Sequence, residues 1–172
     1  MPSRYRDGDL GQIAKDHKEL VECPQCQGCA EVLYRHLGAS PGGGSAVSFE
    51  GTAIVLMGAD RQATWWGVWR VVCSRCTYYA EPPASAPHVA RDDSRDRVFG
   101  LPLWLQTPCA GEVLWAWNEW HLDWLERYVA ADLRERTPNQ NRSLASRLPR
   151  WIKSAKNRDE VLKGICRLRE RL

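Results

Sequence analysis

Cys23-Pro24-Gln25-Cys26 and Cys73-Ser74-Arg75-Cys76 form two C-x-x-C pairs separated by 46 residues. Two residues between cysteines allow a turn tight enough to aim both thiolates, and backbone amides, at one ion. Two such turns complete the tetrahedral set of four sulfurs that Zn2+ prefers. The pattern predicts one structural zinc ion held by Cys23, Cys26, Cys73 and Cys76. It also dictates topology, because strands after the first turn and before the second must bring the turns together, as in a zinc ribbon. The gap exceeds the roughly 15–20 residues of compact sites, so the ribbon has to carry a long insertion. Gln27 and Thr77 stand where glycine commonly follows the second cysteine of such turns.

The remaining cysteines read as bystanders. Cys29 extends the first motif to C-x-x-C-x-x-C and is a spare thiol beside it. Cys109, in TPCAG, has no partner at C-x-x-C spacing and reads as structural. Cys166 falls beside the apolar face of the last helix and is expected in the core. A thioredoxin-like redox pair is disfavoured because no βαβ pattern surrounds either C-x-x-C. His36 and His121 are conceivable ligands, but each reads better as a packed or surface histidine.

The first twenty residues contain no apolar core of a secretory signal, and the longest apolar run, residues 53–59, is far too short to span a bilayer. A cytoplasmic chain is therefore expected. That compartment is reducing, so seven cysteines point to metal or buried thiols rather than disulfides.

A formal net charge of +3 hides an asymmetry. Residues 1–136 hold 14 basic and 18 acidic side chains, a net of −4, whereas residues 137–172 hold 10 basic and 3 acidic, a net of +7. The chain divides by texture into a polar segment (1–22), a zinc-ribbon β domain (23–117) with loops at 38–45 and 81–97, and a helical C-terminal module (118–172). In the first, Leu10, Ile13 and Leu20 suit a short amphipathic helix. Residues 46–57 and 64–72 read as strands, the latter rich in Trp and Val. Residues 101–106 and 112–117 read as a hairpin around TPCAG. Asn118 looks like the N-cap of a helix running to about residue 136, striped by Leu122, Leu125, Val129 and Leu133 and by Trp120, Trp124 and Tyr128. Pro138 breaks it. Short helices at 143–148 and from Pro149 precede a last helix with Asn157 and Glu160 in capping-box spacing, whose apolar face is Val161, Ile165, Leu168 and Leu172. Asp92, Asp93 and Asp96 alternate with arginines and read as a solvated charge run.

No phosphate-binding glycine loop, G-x-S-x-G elbow or H-E-x-x-H helix occurs, and a metal closed by four thiolates has no open position for substrate. The deaminase pattern is unmatched, with nothing suitable upstream of Cys23. The chain is therefore not expected to be an enzyme, nor to take a small-molecule substrate or contact a membrane. In the basic tail, Arg142, Arg147, Arg150, Lys153, Lys156, Arg158 and Lys163 interleave with Trp151 and serine hydroxyls. Basic groups meet phosphates and an indole stacks on a base, which points to nucleic acid as the partner. Nine tryptophans read mainly as core for a small β unit, Trp65, Trp66, Trp69, Trp104, Trp115 and Trp117 among them.

The phrases LWLQTPC and SLASRLPRWIKSAKNRDEVL, together with both C-x-x-C pairs, resemble bacterial TFIIB-type zinc-ribbon proteins. The resemblance covers most of the chain outside its loops and implies a zinc-ribbon fold more than an activity. Some relatives have a doubled cysteine where Cys109 and Ala110 stand here. A zinc ribbon followed by a basic helical module is also similar in architecture to the small zinc-finger subunit of type IV CRISPR complexes, which implies work inside a larger complex. The combined expectation is an α+β protein: an elaborated zinc-ribbon β unit, a long helix and a basic helical C-terminus, binding nucleic acid as an adaptor. The alternative is a zinc-stabilised protein–protein interaction module.

Overall fold

The chain mixes α and β structure, with small antiparallel sheets and a C-terminal helix. The computed structural model describes residues 4–6, 18–39, 56–57, 64–82, 94–135 and 144–172. In chain order the elements are β1 (Arg4–Arg6), β2 (Lys18–Glu22), β3 (Cys29–Ala39), β4 (Leu56–Met57), β5 (Thr64–Val72), β6 (Tyr79–Ala80), β7 (Leu105–Cys109), β8 (Glu112–Ala116), α1 (Glu119–Ala130), β9 (Leu133–Glu135), α2 (Leu144–Arg147), α3 (Arg150–Lys153) and α4 (Arg158–Arg169). A 3-10 turn, Ala155–Asn157, leads into α4. No described helix is long and apolar enough to cross a membrane.

Two compact units result, one spanning residues 17–104 and the other combining the first 16 residues with 105–172. The division differs from the three segments that texture suggested, since the β7–β8 hairpin belongs with the helices. Leu20, expected on an N-terminal helix, is a buried residue of β2, while Leu10 and Ile13 lie outside the described residues.

In the first unit β2 and β3 form a hairpin, and β5 and β6 form another. β3 and β5 pair antiparallel from Glu31↔Val72 to Ala39↔Trp65, with an irregularity between His36 and Gly38. Gly38 and Ala39, expected in a loop, thus extend β3. Of the strand expected at 46–57, the described part is Leu56–Met57, paired with β5. Side chains alternate across the sheet, so Val21, Ala30, Val32, Trp69 and Val71 are buried. Glu19 stands opposite Val32 and two residues from Val21, which places a carboxylate on that apolar face.

Residues 94–104 run along the outer edge of β2. The Glu22 N–H donates to the Pro102 carbonyl at 2.8 Å, and the Trp104 N–H to that of Leu20 at 2.9 Å. The strand expected at 101–106 is therefore divided between this edge and β7. Asp96 overturns the reading as a solvated charge. Its side chain is 1% exposed and accepts N–H bonds from Val98, Phe99 and Leu101 at 2.9, 2.7 and 2.6 Å, closing the 94–101 turn. Asp92 and Asp93 lie outside the described residues.

In the second unit β7 and β8 join through Ala110 and Gly111, at φ 53° and 79°, the signs of a type I′ turn that matches strand twist. Asn118 caps α1 as expected, its side chain accepting the His121 N–H at 2.8 Å. The helix ends at Ala130, short of the expected 136. Ala131 turns extended at ψ 133°, and Leu133–Glu135 pairs in parallel with Arg4–Arg6. Arg158 secures that exit through the Ala131 carbonyl at 3.0 Å and Asp132 at 3.2 Å. Tyr5 of β1 meets Trp124 and Tyr128 edge-on, at 6.0 and 5.5 Å between centroids.

The helix at α4 buries Val161, Ile165 and Leu168, but Leu172 is 52% exposed and Cys166, expected in the core, is exposed. The capping box does not form. Asn157 makes no side-chain cap; its amide donates to the Trp151 carbonyl at 3.0 Å. Glu160 is taken by the Ala110 N–H at 2.6 Å, tying the hairpin turn to the start of α4. Gly164 permits that closeness: a Cβ there would lie 2.8 Å from Leu114 Cδ2 and 3.4 Å from Cys109 Sγ.

Candidate metal centre and basic surface

The two C-x-x-C turns are built alike. Cys23–Gly28 connects β2 to β3 between the paired residues Glu22 and Cys29, and Cys73–Tyr78 connects β5 to β6 between Val72 and Tyr79. Each turn spans six residues. The Cys23 N–H donates to the Gly28 carbonyl at 2.8 Å and the Cys73 N–H to that of Tyr78 at 2.9 Å. Antiparallel pairing of β3 with β5 sets both turns at one end of the ladder. The 46 intervening residues are thus no obstacle, because much of the insertion is spent running out along β3 and back along β5.

Cys23, Cys26, Cys73 and Cys76 form a cluster whose sulfurs all lie within 4.8 Å of one another. Cys23 Sγ is 3.6 Å from Cys76 Sγ, and Cys26 Sγ is 3.6 Å from Cys73 Sγ. A tetrahedron with metal–sulfur bonds of about 2.3 Å has an edge of about 3.8 Å, so the quartet can hold one metal ion with little movement. Burial pushes the Cys73 thiol up, but the N–H groups of Cys76 and Arg75 and the thiols of Cys76 and Cys26 outweigh it, bringing Cys73 to about 7. Cys76 is pushed up to about 12 by burial and by the Cys26, Cys23 and Cys73 thiols, against one N–H from Tyr78. Four adjoining thiols resist common ionisation by themselves; a bound divalent cation would supply the compensating charge.

Gln27 and Thr77 take φ of 58° and 59°. The position after each second cysteine therefore does require left-handed backbone, supplied here without glycine. The glycine stands one residue later. Gly28 is buried, and a Cβ on it would lie 3.1 Å from Arg75 Cδ, 3.4 Å from Arg75 Nη1 and 3.4 Å from Cys26 Sγ. Its bare backbone lets the Arg75 side chain pass close against the first turn. Neither Gly28 nor Arg75 stands out in the sequence, since only the fold brings them together.

The other cysteines stay out of the cluster. Cys29 is half-buried, and its carbonyl lies 3.7 Å from Cys73 Sγ. Cys109 is buried with its thiol 3.5 Å from the Glu160 carbonyl, and burial with the Glu160 charge pushes that thiol up. His121 is a packed residue. Its ring stacks on Trp117 at 4.4 Å and adjoins Trp115 and Trp124, and Nδ1 accepts the Trp117 N–H at 3.2 Å. The side chain of His36 lies outside the described residues. Of the tryptophans, Trp69 and Trp124 are buried, Trp120 is 37% exposed, and Trp104, Trp115, Trp117 and Trp151 are half-buried.

The structure sorts the basic residues by use. Arg147, Arg150, Lys156 and Lys163 are exposed. Lys153 is half-buried and donates to the Ser146 carbonyl at 3.3 Å, and Arg158 is committed to Ala131 and Asp132. Arg142 lies outside the described residues. On α4 the charges belong to the fold: Arg167 donates to the Pro108 carbonyl at 3.0 Å, and Arg169 bridges Asp123 and Glu126 of α1 at 2.7 and 2.5 Å. Arg171, just beyond it, donates to the Gln106 carbonyl at 3.0 Å. Lys163 shares its helix with Asp159 and Glu160. Residues 144–158, by contrast, contain five basic side chains and no acidic one.

Comparison with known protein families, with curated proteins and with solved structures finds no match for this chain.

Proposed function

We propose that this chain is a nonenzymatic zinc protein that binds nucleic acid, as an adaptor or subunit of a larger assembly. Four thiolates are the donor set Zn2+ favours, and they leave no coordination position for substrate. The zinc would fasten the two hairpins of the ribbon. The observation that carries the nucleic-acid reading is the acid-free strip at 144–158, where Arg147, Arg150 and Lys156 are exposed around Trp151. Clustered cations hold a polyanion by releasing its counterions.

Binding of a labelled oligonucleotide to the zinc-loaded chain, measured against salt, tests this reading. Affinity should fall steeply as salt rises. Replacing Arg150, Lys153 and Lys156 together with alanine should weaken binding to all sequences alike. It should also lower the log–log salt slope by about 0.7–0.9 for each phosphate that is no longer neutralised. Unchanged affinity in that variant refutes the assignment.

A second reading, a protein-docking module, draws on Tyr79, Val113 and Trp120, which are 54%, 47% and 37% exposed. It predicts partner capture that survives nuclease and high salt, with no shift of DNA or RNA.

A further inference from the structure

Reading a duplex groove takes a helix of some length, or a two-stranded ribbon, whose side chains reach base edges while neighbouring cations meet the phosphates. Among the described residues only α1 and α4 are helices of that length, with 12 residues each. Opposite its buried residues α1 carries Glu119, Asp123 and Glu126. α4 mixes Asp159 and Glu160 with Lys163 on its open side, and its Arg167 and Arg169 are spent on bonds within the unit. The β7–β8 hairpin contains no lysine or arginine.

The acid-free strip has a different shape. It consists of two four-residue helices and a 3-10 turn, broken at Pro149 and at Ser154. Such a path offers no rod for a groove, but its cations recur at Arg147, Arg150, Lys153 and Lys156, one every third residue. The flexible backbone of a single strand can follow them.

Trp151 stands in the middle of this series. Trp115, Trp117 and Trp124 each meet another ring, whereas Trp151 meets none among the described residues. Its neighbour Ile152 anchors α3 in the core, while the indole stays half-buried beside exposed Arg150. An indole with no ring partner among the described residues, set between cations, is a platform for a base with no complementary strand.

We infer that the strip binds single-stranded nucleic acid, with phosphates on Arg147, Arg150 and Lys156 and one base stacked on Trp151. The inference rests on the proposed nucleic-acid reading and narrows it to strands with accessible bases. The strip is short, so the site covers roughly four nucleotides, the lower end for such modules.

The test uses the full zinc-loaded chain and labelled probes of about 12 nucleotides: a DNA strand, the same sequence as RNA, the DNA duplex, and polyphosphate as a polyanion without bases. Either single strand should bind about tenfold or more tighter than the duplex at moderate salt, and the DNA-to-RNA ratio identifies the sugar preferred. Trp151→Ala should lose about 5- to 100-fold for single strands and leave polyphosphate binding unchanged. Trp151→Phe, which keeps a ring in the same packing, should retain most of the affinity. Arg150→Ala with Lys156→Ala should weaken oligonucleotide and polyphosphate alike. Duplex binding equal to single-strand binding, or full single-strand affinity in a folded Trp151→Ala chain, overturns the inference and leaves the broader reading standing. Binding of no nucleic acid even at low salt sinks both.

Discussion

Gln27 and Thr77 share the left-handed sign of φ, 58° and 59°, at the same place in their two C-x-x-C turns. Each follows the second cysteine, where the chain must reverse to return its carbonyls to Cys23 and Cys73. L-residues pay about 1–2 kcal/mol for left-handed backbone, and glycine escapes that at some cost in chain entropy. Gln27→Gly and Thr77→Gly should each stabilise the metal-loaded protein by about 0.5–1 kcal/mol. Thr77 gives back part of its gain, because its hydroxyl donates to the Cys76 carbonyl at 2.6 Å. Thermal unfolding of the two variants beside wild type decides the matter; a fall in Tm for Gln27→Gly would contradict the account.

Metal stoichiometry separates ligands from bystanders. The chain should bind about one Zn2+, and Cys23→Ser, Cys26→Ser, Cys73→Ser and Cys76→Ser should each abolish tight binding, because removing a thiolate opens a closed tetrahedral site. Cys29→Ser, Cys109→Ser and Cys166→Ser should leave one ion bound. Co2+ titration reads the same distinction through thiolate-to-metal absorption. A full site in Cys76→Ser but not in Cys29→Ser would move the fourth ligand to Cys29.

Glu19 gives a pH dependence with a definite sign. Burial on the apolar sheet face, then the nearby charge of Asp96, pushes its carboxyl up to about 7, against the pull of Arg97. Between 4.5 and about 7 the native state therefore holds a proton that the unfolded chain has released, so stability falls as pH rises through that window. Glu19→Gln mimics the neutral acid. It should be more stable than wild type by about 1–3 kcal/mol at pH 8, the gain vanishing by pH 4.5. A constant difference across that range, in urea unfolding of the metal-loaded chain, would refute a half-buried, protonated acid at this position.

The cysteine pairs made the centre legible in the sequence, since ligand spacing is a local property and the β3–β5 ladder only had to close it. Strand 64–72, the N-cap at Asn118 and the apolar face of Val161, Ile165 and Leu168 were equally local. What escaped depended on partners remote in the chain. Nothing near residue 131 stops the helix, because the stop is Arg158 together with a strand from residues 4–6. Glu160 has capping-box spacing, but the Ala110 amide competes for it from the hairpin turn. Asp96 looks like one more member of a charge run in the sequence, and only the 94–101 turn gives it three donors. The basic tail was readable as a total charge, but which cations the fold consumes was not.

Gly164 should tolerate no side chain. A Cβ would stand 2.8 Å from Leu114 Cδ2, in a place also bounded by Cys109 Sγ at 3.4 Å. Leu114 is fully buried, so it has no room to retreat. Gly164→Ala should therefore cost about 1–3 kcal/mol despite the better helix propensity of alanine. Adding Leu114→Ala removes the clashing atom, so the double variant should be less destabilised than the two single effects summed. Strict additivity would mean that α4 does not need this close approach to the hairpin.

His121 supplies the opposite pH dependence from Glu19. The ring is 1% exposed among Trp115, Trp117 and Trp124, and burial pushes it down to about 3 from its ordinary 6.5. With Nδ1 accepting from Trp117, the proton of the neutral ring sits on Nε2, which has no hydrogen-bond partner among the described residues. A second proton would put an unpaired cation among indoles. As pH falls from 6.5 towards 3 the unfolded chain takes up that proton and the native state does not, so up to about 1.4 kcal/mol of stability is lost per pH unit. The contribution is fully present above 6.5. Imidazole NMR reports on the ring itself, apart from any loss of metal in acid. Its resonances should stay those of neutral histidine from pH 7 to pH 4, provided the chain remains folded. A titration midpoint near 6.5 would show that water reaches the ring, and the enclosure of His121 by Trp115, Trp117 and Trp124 would fall with it.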